Sequence, residues 1–310
     1  MGNIKTSQIN YRNFGKCLHI SNEIIELIVP LELGPRIIRY SFVNEENMLF
    51  EDIDRLVTED LSNYNEYTDN KWYLYGGHRL WMSPEYMPRS YYPENSKITY
   101  EEIENGIKII GNTEEHNNIQ KILNIVLDKN SSKVSISNEI INLDEKEKTV
   151  APWAITTLCK NGVSITPISN KKTTFTPNKV IAYWPYTKLN DERMSFINDR
   201  YLKITQDTNN FDAFKIGINN TDRWSAHIVK ENVFLKTFDD IYTEVSDYSD
   251  YGVNFEIYTK ELFLELESLG KLKTISKGEK VVLNENWYLV KSNNNNLVEK
   301  VEEQIKNIEI

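Results

Sequence analysis

Two glutamates, Glu265 and Glu267, stand two apart in the segment Leu262–Leu269. In an extended strand that spacing puts both on one face with Phe263, while Leu262, Leu264, Leu266 and Leu269 lie largely on or near the other. A carboxylate on such a face is suited to accepting a proton. The complementary acid at neutral pH is an imidazole. His78, in Gly76-Gly77-His78-Arg79, follows two glycines that let the backbone bend sharply, and it is the histidine expected to serve. His227, after Trp224 on a strand, ranks second, and His19 and His116 read as structural. Arg79 offers a rigid fork of donors for neighbouring hydroxyls or a carboxylate. Lys215 is an unusual charge inside the β run Phe214–Ile218. Trp153 offers a flat apolar face for a sugar ring, with Trp81, Glu85, Trp184, Tyr186 and Glu256 behind it in rank. Each has a plainer reading: solvated carboxylates on an exposed strand, a histidine or tryptophan of the core, a lysine paired with a neighbouring strand.

Strand patterns dominate the elements that must position these residues. Lys16–Ser21, Glu23–Val29, Arg36–Val43, Gly106–Gly111, Ile119–Asp128 and Lys133–Leu143 are expected as strands, the last two joined by a polar hairpin at 128–132. Val150–Leu158, Val163–Thr166, Val180–Trp184, Phe214–Ile218, Ser225–Val229, Val233–Thr237, Val253–Tyr258, Leu262–Leu269 and Lys280–Val290 continue the series. No βαβ alternation interrupts it, so a mainly β, antiparallel sandwich is expected as a single domain over residues 1–310. One helix is expected over 296–310, where Leu297, Val298, Val301, Ile305 and Ile308 share a face. The stretches 51–73 and 81–96 read as irregular insertions of the kind that lie over a sandwich mouth.

The net charge of −10 disfavours nucleic acid and anionic lipid as partners. No apolar run approaches the roughly 18 residues needed to span a bilayer, and no secretory leader pattern opens the chain. Cys17 and Cys159 sit in no metal spacing and read as free thiols of a reducing compartment, so a cytoplasmic location is expected. Asp247, Asp250 and Glu256 read as a solvated acidic loop rather than a hard-cation site. No metal or cofactor is expected, and no phosphate-loop, dinucleotide, zinc-protease or serine-hydrolase motif occurs.

Several segments taken together resemble the galactose mutarotase-like, or aldose 1-epimerase, superfamily. They are Gly34-Pro35-Arg36-Ile37-Ile38-Arg39-Tyr40, Gly76-Gly77-His78-Arg79-Leu80-Trp81 followed by Pro84-Glu85, Ala151-Pro152-Trp153-Ala154-Ile155-Thr156, and Phe263-Leu264-Glu265-Leu266-Glu267. Tyr183-Trp184-Pro185-Tyr186, Phe214-Lys215-Ile216-Gly217, Gly278-Glu279 and Glu285-Asn286-Trp287 are similar to the DUF4380-type bacterial branch. The resemblance implies a supersandwich with a small-molecule carbohydrate on the concave sheet face. It also implies anomer interconversion by general acid and base, with Glu265 matching the catalytic glutamate as base. From the residues themselves, His78 is expected as the substitute acid, and Arg79, Trp81, Trp153, Lys215, Glu267 and Trp184 are expected to contact the sugar. The chain departs from the epimerases where they carry a histidine on the central strand: Pro152-Trp153-Ala154 stands there. That departure keeps a non-catalytic sugar-binding protein in view, together with lyase or hydrolase chemistry on the same fold.

Overall fold

The computed structural model describes residues 4–64, 71–306 and 308. Two large antiparallel sheets face each other across an apolar core. The sheet that carries the site consists of β1 (Arg36–Ile37), β2 (Gly77–Ser83), β3 (Lys148–Leu158), β4 (Ile181–Tyr183), β5 (Phe214–Ile218), β6 (Phe255–Thr259), β7 (Leu264–Leu269) and β8 (Lys273–Ile275). Their order is β4-β5-β6-β7-β3-β2-β1, with β8 paired to the start of β3. The opposing sheet has ten strands and runs from Met194–Ile197 at one edge to Thr99–Ile103 at the other, with Asn232–Phe238, Lys280–Lys291 and Val134–Asn142 at its centre. A four-stranded sheet that includes Lys16–Ser21 and Ile25–Pro30 closes one side.

Period-2 alternation sorts the site sheet into two faces. Leu80, Ala154, Leu264, Leu266, Phe214, Ile216 and Ile257 point inward and join Leu123, Ile136, Phe234, Leu283 and Trp287 of the ten-stranded sheet in one buried cluster. The alternate residues Trp81, Trp153, Ile155 and Leu269 form a second cluster on the outer face with Phe263, Trp72 and Leu74. Leu269 and the half-buried Leu262 therefore pack with the aromatics and not with the core leucines expected to be their companions.

Gly77–Ser83, expected as a turn leading into an irregular insertion, is instead a strand buried along its whole length. It pairs with β3 in the register Arg79↔Ile155 and Trp81↔Trp153. Gly77 has φ +72, and a Cβ there would meet the Ile37 carbonyl oxygen at 2.1 Å, so only glycine lets β1 approach so closely.

The C-terminal helix covers Leu297–Ile305. Asn296 caps it by accepting hydrogen bonds from the Val298 and Glu299 amides. Val301 and Leu297 pack on Ile165, Trp224, Val233 and Leu235, the outer face of the ten-stranded sheet. The expected end of this helix at 310 lies outside the described residues. Among the described residues no helix is long and apolar enough to cross a membrane.

His227 sits wholly inside, its Nε2 3.0 Å from the Cys159 carbonyl oxygen. Burial outweighs that hydrogen bond and lowers the imidazole pKa from 6.5 to about 4. The unfolded chain thus binds a proton that the folded one refuses, so this stability is complete above pH 6.5 and is lost as the pH falls towards 4. At about 1.4 kcal/mol per pH unit the loss is ~3 kcal/mol. Urea midpoints across that window should fall more steeply for the wild type than for His227→Gln, and parallel curves would refute the assignment.

Candidate functional site

The outer face of the site sheet carries charge in cross-strand rows. Glu256 of β6 lies opposite Glu267 of β7, which lies opposite Ile155 of β3, in turn opposite Arg79 of β2. One row along, Lys215, Tyr258, Glu265 and Thr157 are neighbours in the same way. The insertions supply the walls of a cleft of about 260 Å³ over these rows, bringing Glu59, Trp72, Glu85 and Tyr91 against Trp81, Trp153, Tyr186 and Phe263. That volume lies just below the roughly 300 Å³ where pockets for drug-sized ligands begin.

Arg79 and Glu265 form the first polar unit of the floor. Arg79 Nη1 donates to Glu265 Oε1 at 2.8 Å and to Thr157 Oγ1 at 3.1 Å. The Thr157 hydroxyl then donates to the same Glu265 oxygen at 2.8 Å. The guanidinium is stacked 4.7 Å from the Trp81 ring centroid and 5.9 Å from that of Trp72. Glu265 Oε1 is thus fixed by two donors, while among the described residues Oε2 accepts no hydrogen bond, and Glu265 lines the cleft.

Lys215 anchors the second unit. Its Nζ lies 2.6 Å from Glu256 Oε2 and 3.1 Å from Glu267 Oε2. Trp153 Nε1 also donates to Glu267 Oε2, at 2.8 Å. The ammonium sits between the Trp153 and Trp184 rings, 4.5 and 4.7 Å from their centroids. Burial works against its charge, but Glu256 and Glu267 outweigh burial and hold the Lys215 pKa well above its ordinary value. Burial, opposed by Lys215 and reinforced by Glu267, lifts the Glu256 carboxyl well above the usual carboxylate range. Tyr258 keeps its phenolic proton, because burial and then the Glu265 charge push its pKa up.

Six of the residues singled out in the sequence line this cleft: Arg79, Trp81, Trp153, Lys215, Glu265 and Glu267. Trp184 stands one layer back, against Lys215. His78 is not among them. Alternation on β2 turns it to the face opposite Arg79, into the core, where it is 0% exposed. Its Nε2 is 3.0 Å from Asn138 Oδ1, its Nδ1 is 3.0 Å from Thr156 Oγ1, and its ring lies edge-on to Trp287. Burial, and next the Lys236 charge, hold its pKa well below the ordinary imidazole range. The expectation of His78 as acid is therefore corrected: it is a neutral bridge between the two sheets. Of the second-rank residues, Glu85 and Tyr186 reach the cleft and Glu256 stands behind Lys215 rather than in the acidic loop.

Residues not anticipated include Thr157, two positions beyond Ile155 on the same face, and Tyr258, two beyond Glu256. Alternation on β3 and β6 carried both signals. Tyr91 comes from an irregular insertion, whereas Glu59 and Trp72, in a stretch expected to be irregular, lie opposite each other in a two-stranded ribbon, Thr58–Asp60 with Lys71–Tyr73, too short to show a period. A larger open depression of about 650 Å³ elsewhere is lined by Arg12, Arg39 and Glu51. There Arg12 pairs with Glu51, and Arg39 with the adjacent Glu26.

Solved structures with the same architecture cover nearly the whole chain. A galactose mutarotase-like protein from Clostridium acetobutylicum superposes with a TM-score of 0.57 at 10% identity, over 94% of this chain and 99% of the other. One from Lactobacillus casei gives a TM-score of 0.57 at 9% identity, over 88% of this chain and 100% of the other. The fold is galactose mutarotase-like. A TPR-domain containing protein from Parabacteroides distasonis also matches, with a TM-score of 0.63 at 9% identity, over 95% of this chain and 49% of its own. No family model and no curated protein matches the sequence. At these identities the likeness shows the fold alone, so any role for the cleft of this mutarotase-like sandwich has to be argued from its own residues.

Proposed function

We propose that the protein binds a monosaccharide-sized carbohydrate in this cleft and interconverts its anomers, as a single-domain cytoplasmic relative of the DUF4380-type branch. Glu265 carries the reading. It lines an aromatic-walled cleft, its Oε1 held by Arg79 and Thr157 while among the described residues its Oε2 accepts no hydrogen bond. A carboxylate so placed accepts the C1 hydroxyl proton of a bound aldose, and a donor across the floor gives a proton to the ring oxygen as the C1–O5 bond breaks, both protons returning when the ring closes. C1 then turns about C1–C2 and the ring closes on the other face. Trp153 and Trp81 supply apolar surface for the sugar ring. The free thiols of Cys17 and Cys159 are consistent with a reducing compartment.

The donors lining the cleft include the Lys215 ammonium and the Tyr258 hydroxyl, both with raised pKa. Such groups hold a hydrogen bond to the ring oxygen but release a proton reluctantly, which argues for a slow enzyme. The same observation favours a second reading, sugar binding without turnover. Exchange NMR of α and β anomers across a panel of aldoses separates the two. Faster exchange on adding protein is the expected result. Binding with unchanged exchange would leave the second reading, and no affinity for any aldose would remove both.

A further inference from the structure

We infer that the cleft selects a cationic sugar, a hexose bearing a free amino group, over neutral and anionic sugars, an inference that rests on the carbohydrate reading of the same site. Its lining holds two cations, Arg79 and Lys215, against four carboxylates, Glu59, Glu85, Glu265 and Glu267, a formal charge of −2. Each cation is paired with a carboxylate: Arg79, through Nη1, with Glu265, and Lys215 with Glu267 and the buried Glu256 behind it. Neither gives the cleft net positive charge for a phosphate or a carboxylate on a ligand.

Glu265 is nine-tenths buried, and among the described residues its Oε2 accepts no hydrogen bond. Glu59 and Glu85 are exposed at the rim, and Glu85 is joined to the aromatic wall by the Tyr91 hydroxyl at 3.0 Å. Burial, then Glu85 and Glu59, raise the Tyr91 pKa, so both rim carboxylates act on the same wall. An ammonium entering here meets the rim carboxylates Glu59 and Glu85, which no cation of the cleft lining pairs, beside the aromatic wall of Tyr91, surroundings that favour a cation. A phosphate or uronate meets like charge in a partly desolvated cleft.

Titration calorimetry on the full-length protein at about pH 6 tests this, since an amine next to electron-withdrawing groups titrates near 7.7–8.0 and stays charged there. The probes are glucosamine and galactosamine, their neutral parents, their N-acetyl derivatives and a hexose phosphate. The amino sugars should bind about ten-fold tighter than the parents, acetylation should abolish the gain, and the phosphate should bind weakest. Glu59→Gln combined with Glu85→Gln, both at exposed positions, should bring the amino-to-neutral ratio towards one. Equal affinity for amino and neutral sugars would overturn the inference while the carbohydrate reading stood, as would preference for the phosphate. A ratio unmoved by the double substitution would also overturn it. Silence across the whole panel would remove the carbohydrate reading and this inference together.

Discussion

Glu265→Gln should slow anomer interconversion by about 10²–10⁴-fold, the contribution of a positioned proton acceptor, while the protein stays folded. Glutamine has the same shape and keeps a carbonyl oxygen to accept the Arg79 and Thr157 hydrogen bonds now made to Oε1. Arg79 keeps its stacking on Trp81 and Trp72. The amide cannot take a proton, so the chemistry is removed and the architecture left. Arg79→Met does the reverse. It leaves the Glu265 charge in place, buried and without its partner, at a cost of about 3–5 kcal/mol in stability. Exchange rates and urea midpoints on the two variants separate the roles. Wild-type turnover by Glu265→Gln would show that the proton goes elsewhere.

The contrast between these two residues shows how far the sequence could be read. Alternation in Phe263, Glu265 and Glu267 was enough to place all three on one face, and all three line the cleft. The same rule, applied to Gly77–Ser83, separates Arg79 and Trp81 from His78. Both Arg79 and His78 could not reach one site from one strand. That strand went unrecognised because it is buried on both faces, which erases the polar alternation that marks a half-exposed strand. Lys215 was legible as an anomaly, a charge in a β run, but its partners Glu256 and Glu267 come from strands 41 and 52 positions later, and only the sheet order brings them together. The walls were least legible: Trp72 and Tyr91 are positioned by packing against Trp81, and Glu59 by its pairing opposite Trp72 in a ribbon too short to show a period. The departure at Pro152-Trp153-Ala154 was visible from the start. The structure gives Trp153 a use there: its indole N–H holds Glu267 and its ring covers Lys215.

Lys236→Met should cost about 3–5 kcal/mol although Lys236 never touches the cleft, because it leaves a buried carboxylate uncompensated. Lys236 rises from the ten-stranded sheet into the core, 0% exposed, and pairs with Glu285 at 2.8 Å. Its remaining hydrogen bonds go to the site sheet: the Ala154 carbonyl at 3.0 Å, Thr156 Oγ1 at 3.0 Å and the Leu266 carbonyl at 3.1 Å. Those acceptors lie on the two strands whose outward residues are Trp153, Ile155, Glu265 and Glu267, so one ammonium holds the floor of the cleft from beneath. His78 completes this underside by bridging Thr156 to Asn138. Replacing both charges, Lys236→Met with Glu285→Leu, should recover most of the lost stability, since an apolar pair avoids the desolvation of two ions. It should not restore ligand affinity fully, because Ala154 and Leu266 still lack their donor and β3 and β7 are held only by their neighbours. Urea unfolding and sugar titration on the single and double variants measure the two effects separately. If the double variant regained both together, the core charges would act on stability alone and the cleft floor would be set by the sheet itself.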